Sequence, residues 1–297
     1  MSLLSMYIRY EFGKGDRKRD AGLTTPDDVK RFDDISYGSD RKWQILDIYR
    51  PKDLEGKLPV IVSVHGGGWV YGTKEVYQHY CMSLAQRGFA IVNFNYRLAP
   101  EHKYPAQIED TNAVLKWILE NGDTYGLDTD NIFAVGDSAG GHLLSVYAAM
   151  LNDRSYADRY GIDTPQGFQF NAIALNCGVY HQAYTKKKNL TLRLMNDVLP
   201  KDWGEKDLNL FNSIDKVKPG YPPVYLMSSN ADFLVDQVPL MQTQLINNDI
   251  PYVVKVYGDE KNILGHVFHV NTRLKNAALC NDEECAFFRS YLKKSDN

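Results

Sequence analysis

At 297 residues the chain has room for one α/β domain with insertions and not for two ordinary enzymes. A hydrophobic content of 44% supports a substantial core, while a formal charge of -3 lacks the basic footprint of a nucleic-acid binder. No run approaches the roughly 18 consecutive apolar residues of a membrane span, so no stable membrane insertion is expected. The four cysteines, Cys81, Cys177, Cys280 and Cys285, lack zinc-like spacing and read as free thiols of a cytoplasmic protein. The 20 tyrosines and 12 phenylalanines are a high aromatic load, most of it expected in the core and some of it suited to lining an apolar pocket.

Residues 1–40 read as polar and irregular, with the charge run 14–20 as a solvated surface. Residues 43–49 alternate like a strand with one wet face. An apolar strand, residues 58–64, feeds the loop His65-Gly66-Gly67-Gly68-Trp69. A helix over 75–86 stops at Gly88, the strand 89–94 follows, and Tyr104-Pro105 opens a helix over 106–120. Asn131-Ile132-Phe133-Ala134-Val135 is short, apolar and β-branched, as a buried strand should be. After it comes Gly136-Asp137-Ser138-Ala139-Gly140, then the helical run 143–150.

A short strand over 172–177 and the next one over 223–229 are separated by more chain than one crossover helix needs. Residues 179–219 therefore read as an insertion above Ser138, with Tyr180, Tyr184 and Trp203 suited to a helical lid. A helix over 235–247, a strand over 252–257 and two closing helices, 266–278 and 283–292, complete the chain. Strands alternate with helices throughout, which gives a mostly parallel sheet with helices on both faces.

Glycine at about 7% of residues makes a chance G-x-S-x-G in a chain this long roughly a one-in-ten event, so the motif rests on its context. Strand, tight turn and helix form the setting of a nucleophile elbow, in which Ser138 projects above the sheet edge at a helix N-terminus. The glycine-rich loop at 65–68, leaving a strand upstream, stands where an α/β-hydrolase builds the other half of its oxyanion hole. A serine hydroxyl is a weak nucleophile and needs a base within hydrogen-bond reach and a third group to orient that base. The acid should directly follow a strand: Asp232 does, and Asp236, four residues on inside a helix, is the competitor. The base should come from the loop after the next strand, where His266 precedes His269. His65 is expected to shape the loop, and His142 to pack beside the elbow.

Four blocks, 65–68, 96–101, 136–140, and 232–236 with 266–268, resemble the hormone-sensitive-lipase-like branch of the α/β-hydrolases, a group of carboxylesterases. The resemblance implies Ser138 as nucleophile, Asp232 as acid and His266 as base. It also implies oxyanion N–H groups from Gly67, Gly68 and Ala139, and a cap built from residues 1–40 with 179–219. No metal or organic cofactor is implied. Phe233 stands where the family often has proline, and Val267 where it often has glycine; neither change removes a reacting group.

The expected activity is hydrolysis of short-chain esters, acetyl to butyryl, through an acyl-enzyme. The bulky residues Trp69 and Tyr71 beside the glycine loop, with Tyr180, Tyr184 and Trp203 from the lid, are expected to bound the acyl pocket. The same triad would also serve an arylformamidase, an amidase or a carbohydrate-ester deacylase, and the fold alone could host a non-catalytic small-ligand receptor. A small-molecule ester is the expected partner, nucleic acid is not, and a homodimer is left open.

Overall fold

Eight strands form one twisted sheet in the order β1-β2-β4-β3-β5-β6-β7-β8 in the computed structural model, which describes residues 2–184 and 189–293. The strands are β1 (Val29–Ser36), β2 (Ile45–Pro51), β3 (Leu58–Val64), β4 (Ala90–Phe94), β5 (Leu127–Asp137), β6 (Ile173–Asn176), β7 (Val224–Ser229) and β8 (Tyr252–Tyr257). β1 and β2 run antiparallel at one edge, and every pair from β4 across to β8 is parallel. Parallel neighbours need crossovers, and the helices that supply them cover both faces.

Side-chain alternation divides the core accordingly. On β3, Val60, Val62 and Val64 face one hydrophobic cluster and Ile61 faces the other. Helices α3 (Ala106–Tyr125) and α4 (Ala139–Asn152) bury their apolar residues in the first cluster, while α2 (Lys74–Ala85) and α9 (Lys275–Arg289) bury theirs in the second. α4 is buried almost all round, which explains its near-continuous apolar sequence.

Two expectations are corrected. Residues 1–40 are not irregular: α1 (Leu3–Asp20) is an 18-residue helix and β1 is an eight-residue edge strand. Nor is there a helix over 266–278. His266 and Val267 lie in a loop, residues 268–270 make a single 3-10 turn, and the one closing helix is α9. Val267 has φ 50°, a left-handed conformation that interrupts any helix through it.

The stretch 179–219 carries α6 (Leu190–Val198) and α7 (Glu205–Phe211), after the five-residue α5 (Arg154–Asp158) that follows α4. Residues 185–188 of that stretch lie outside the described residues. α6 packs against α1, and Ser2 and Ser5 at the start of α1 both donate to Asp197 on α6. α8 (Gln237–Asn247) packs on β7. No helix among the described residues is long and apolar enough to cross a membrane.

Candidate active site

The parallel strands end together along one edge of the sheet, and the loops leaving β3, β5, β7 and β8 converge there. β5 runs straight into Ser138, whose φ of 53° and ψ of -118° form the sharp turn into α4. That conformation is costly for a side chain larger than glycine and persists only where packing over-determines it. Packing does so here. A methyl group on Gly140 would lie 2.0 Å from the Val64 carbonyl oxygen, so α4 sits hard against the end of β3 only because residue 140 has no side chain.

Asp232 and His266 reach the same point from the ends of β7 and β8. Asp232 is buried; its Oδ1 accepts from the Leu234 N–H at 2.9 Å and its Oδ2 from the Ser228 hydroxyl at 2.8 Å. The bridge between Ala231 and Gly265 joins the two loops so that the imidazole lies beside the carboxylate. His266 Nδ1–H donates to Asp232 Oδ1 at 2.7 Å, and Nε2 accepts from the Ser138 hydroxyl at 2.9 Å. Burial opposes ionisation of Asp232, but the hydrogen bonds from His266, the Leu234 N–H and the Ser228 hydroxyl outweigh it and hold the carboxyl below its usual range.

Asp236, the competing acid, stands at the N-terminus of α8, where its side chain makes no capping hydrogen bond. His269 is fully buried, edge-on to Tyr80 with ring centroids 5.2 Å apart. Burial pushes its pKa down to about 3, and the nearby His266 adds to the shift.

The glycine loop approaches from β3. The N–H groups of Gly67 and Gly68 donate to no backbone or side-chain acceptor among the described residues. Ala139 is the first residue of α4, where a backbone N–H has no intrahelical acceptor. Leu194 of α6 lies over Gly68, 3.7 Å from where a Cβ would sit. His65 stacks on Tyr96 with centroids 4.0 Å apart and donates from Nδ1 to the Gly66 carbonyl at 2.8 Å; burial lowers its pKa to about 4. His142 is held between Trp69, whose Nε1–H donates to Nδ1 at 3.2 Å, and the Phe211 carbonyl, which accepts from Nε2 at 2.8 Å.

A cavity of about 370 Å³ opens at Ser138 and His266. Its walls come from Phe12, Gly15, Asp16 and Arg19 of α1, from Tyr71 and Tyr77, and from Phe233 and Val267. Of the expected pocket residues, only Tyr71 is among its walls. Trp69 and Tyr180 are buried in the core, at 3% and 1% exposure, and Tyr184 and Trp203 pack edge-on against each other with centroids 6.0 Å apart, away from the cavity.

The charge run 14–20 is likewise not all solvated surface. Arg19 donates to Asp16 at 2.9 Å, to Asp20 at 2.7 Å and to the Val76 carbonyl at 2.6 Å, and Asp16 also accepts from the Tyr71 hydroxyl at 2.7 Å.

Sequence reasoning missed Asp137, Tyr77 and Phe233 as cavity residues. Asp137 stands inside the elbow motif, at the position between Gly136 and Ser138. Burial raises its carboxyl to about 6, against the hydrogen bond from Tyr77. Cys177, Asp232 and His266 offer donor atoms within 4.8 Å of one another. Both ring nitrogens of His266 are already in hydrogen bonds, and burial holds the Cys177 thiol well above its usual range. The arrangement suits proton transfer rather than metal ligation.

The sheet, the elbow and the converging loops define an α/β-hydrolase of the hormone-sensitive-lipase-like branch. The profile of the BD-FAE family matches residues 46–250, more than half of the chain, and the chain belongs to that family. Esterase LipC of Mycobacterium tuberculosis is 34% identical over 148 residues, which are 49% of this chain and 35% of that protein. Carboxylesterase NlhH of the same organism is 38% identical over 142 residues, 46% of this chain and 44% of that protein. The match thus spans less than half the length of either relative. Among solved structures, esterase B from Lactobacillus Rhamnosis superposes with a TM-score of 0.87 at 26% identity, covering 97% of this chain and 95% of that one. Its complex with a C4-C4 tributyrin phosphonate inhibitor superposes with a TM-score of 0.88, also at 26% identity, with the same coverage of both chains.

Proposed function

We propose that the chain is a serine carboxylesterase that hydrolyses short-chain esters, acetyl to butyryl, through an acyl-enzyme. The observation that carries the reading is the unbroken relay from Asp232 through His266 to Ser138, with hydrogen bonds of 2.7 and 2.9 Å. Ser138 Oγ attacks the ester carbonyl while His266 Nε2 takes its proton. Asp232 holds Nδ1 protonated and stabilises the imidazolium that forms. The N–H groups of Gly67, Gly68 and Ala139 receive the negative charge that develops on the carbonyl oxygen. The imidazolium then protonates the leaving alcohol, and the same ring activates the water that clears the acyl group.

A preference for short acyl chains is supported by the cavity, whose walls include the stiff rings of Phe12, Tyr71 and Phe233. The inhibition of esterase B by a tributyrin phosphonate points the same way. The wall of the site would be completed by a cap formed from α1 with α6 and α7. The four buried free thiols favour a cytoplasmic setting.

A series of p-nitrophenyl esters tests the assignment. Each methylene that fits should add roughly 0.8 kcal/mol of binding, and each one that does not fit costs more through overpacking. The expected kcat/KM is highest from acetyl to butyryl and falls steeply by octanoyl. An optimum at octanoyl or longer would overturn the short-chain reading, and faster turnover of formanilides or acetylated sugars would favour the formamidase or deacylase alternatives.

A further inference from the structure

The glycine loop carries two of the proposed oxyanion donors, yet its own backbone needs something to hold it in place. Its first glycine, Gly66, donates its N–H to the hydroxyl of Tyr77 on α2 at 3.0 Å. The same hydroxyl donates to Asp137 Oδ2 at 2.7 Å. Asp137 is the last residue of β5 and the immediate neighbour of Ser138. One phenol oxygen therefore ties the loop to the elbow, with its donor and one acceptor position both in use.

The close fit around Gly66 shows how specific the contact is. A Cβ on Gly66 would lie 2.6 Å from Asp137 Oδ2 and 3.0 Å from the Tyr77 hydroxyl. All three groups are buried, although they line the cavity, and a hydrogen bond between buried groups is stronger than one in water.

We propose that Tyr77 and Asp137 are positioning residues that fix the glycine loop, and with it the Gly67 and Gly68 N–H groups, relative to Ser138. The proposal rests on the hydrolase reading above. Oxyanion donors act only when they are aimed at the position the oxygen will take, and removing one donor outright costs about 10²–10³ in kcat. Loosening the loop that carries them should cost less: between about tenfold and a hundredfold in kcat, with KM within about twofold, because the ground-state ester depends little on those donors.

The test is a set of variants assayed on p-nitrophenyl butyrate, with chemical denaturation confirming that each is folded at the assay temperature. Tyr77→Phe should show the kcat loss at near-constant KM. Asp137→Ala, which removes the acceptor, should match it, while Asp137→Asn, which keeps an acceptor oxygen, should recover most of the difference. Combining Tyr77→Phe with Asp137→Ala should cost no more than the worse single change, since both break one bridge. The inhibition constant of a short aliphatic trifluoromethyl ketone, which forms a tetrahedral adduct on the serine, should rise by the factor that kcat/KM falls.

A Tyr77→Phe variant within twofold of wild type in kcat overturns the proposal. So does a double variant whose losses simply multiply, or a loss that falls on KM alone. Ser138→Ala assayed alongside separates the two claims. An active Ser138→Ala overturns the hydrolase reading and the bridge with it, whereas an inactive Ser138→Ala beside an unimpaired Tyr77→Phe overturns the bridge alone.

Discussion

At the scale of single residues, two histidines three positions apart have opposite environments. His266 has partners on both ring nitrogens, whereas neither nitrogen of His269 has one among the described residues. His266→Ala should lower kcat/KM by several orders of magnitude and leave the denaturation midpoint nearly unchanged. His269→Ala should keep most of the activity and lose stability instead, because it empties a packed site beside Tyr80. The reverse pattern would move the base to His269. Asp232→Asn should cost roughly 10³–10⁴ in kcat by stabilising the wrong imidazole tautomer, and a larger loss from Asp236→Asn would transfer the acid role. The meeting of Ser138, Asp232 and His266 was legible in the sequence because Ser138 and Asp232 stand just past apolar strands and His266 lies in the loop after the next strand, where an α/β sheet presents side chains to a cleft. The cavity walls were not legible in the same way. Aromatic content pointed to Trp69 and Tyr180, but both rings turn into the core, and no feature of a single sequence tells an inward ring from one that lines a cleft.

At the scale of elements, α1 is where the sequence misled. The residues it buries fully are Ser5 and Gly13, whereas Leu3, Met6, Tyr7 and Tyr10 face outward. Periodicity reads burial from large apolar side chains, so a helix that docks through small ones looks irregular. Gly13 and Gly15 weaken the pattern further, since glycine disfavours helix interiors. Yet α1 supplies Phe12, Gly15, Asp16 and Arg19 to the cavity. Deleting residues 2–20 should open that wall, and the ratio of kcat/KM on octanoyl to that on butyryl ester should rise severalfold. An unchanged ratio would mean that α1 takes no part in chain-length selection. The elbow makes a complementary prediction. Gly140→Ala forces a methyl group into the Val64 carbonyl and should destabilise the fold by about 1–3 kcal/mol or more. A denaturation midpoint equal to wild type would contradict the packing described for α4 on β3.

At the scale of the whole molecule, buried titratable groups set opposing pH dependences. Burial lowers His65 and His142 to about 4 and His269 to about 3. The unfolded chain takes up those protons first, so their contribution to stability is lost as the pH falls from about 6.5. Glu284 behaves oppositely: burial raises its carboxyl from 4.5 to about 7 even though it accepts hydrogen bonds from Asn176 and Tyr80. The unfolded chain releases that proton first, so stability declines as the pH rises from 4.5 to about 7. Glu284→Gln should remove this decline. Measured by urea denaturation, the stability of wild type relative to the variant should fall by up to a few kcal/mol between pH 5 and pH 8, and a constant difference would contradict the assignment. The proposed chemistry makes a sharper demand: one serine, activated by one histidine, should react covalently. The most direct measurement is intact-protein and peptide mass spectrometry after exposure to a fluorophosphonate. One adduct per wild-type chain is expected, located on Ser138, absent from Ser138→Ala and formed far more slowly in His266→Ala. Labelling of Ser138→Ala at the wild-type rate, or an adduct on any other residue, would contradict it.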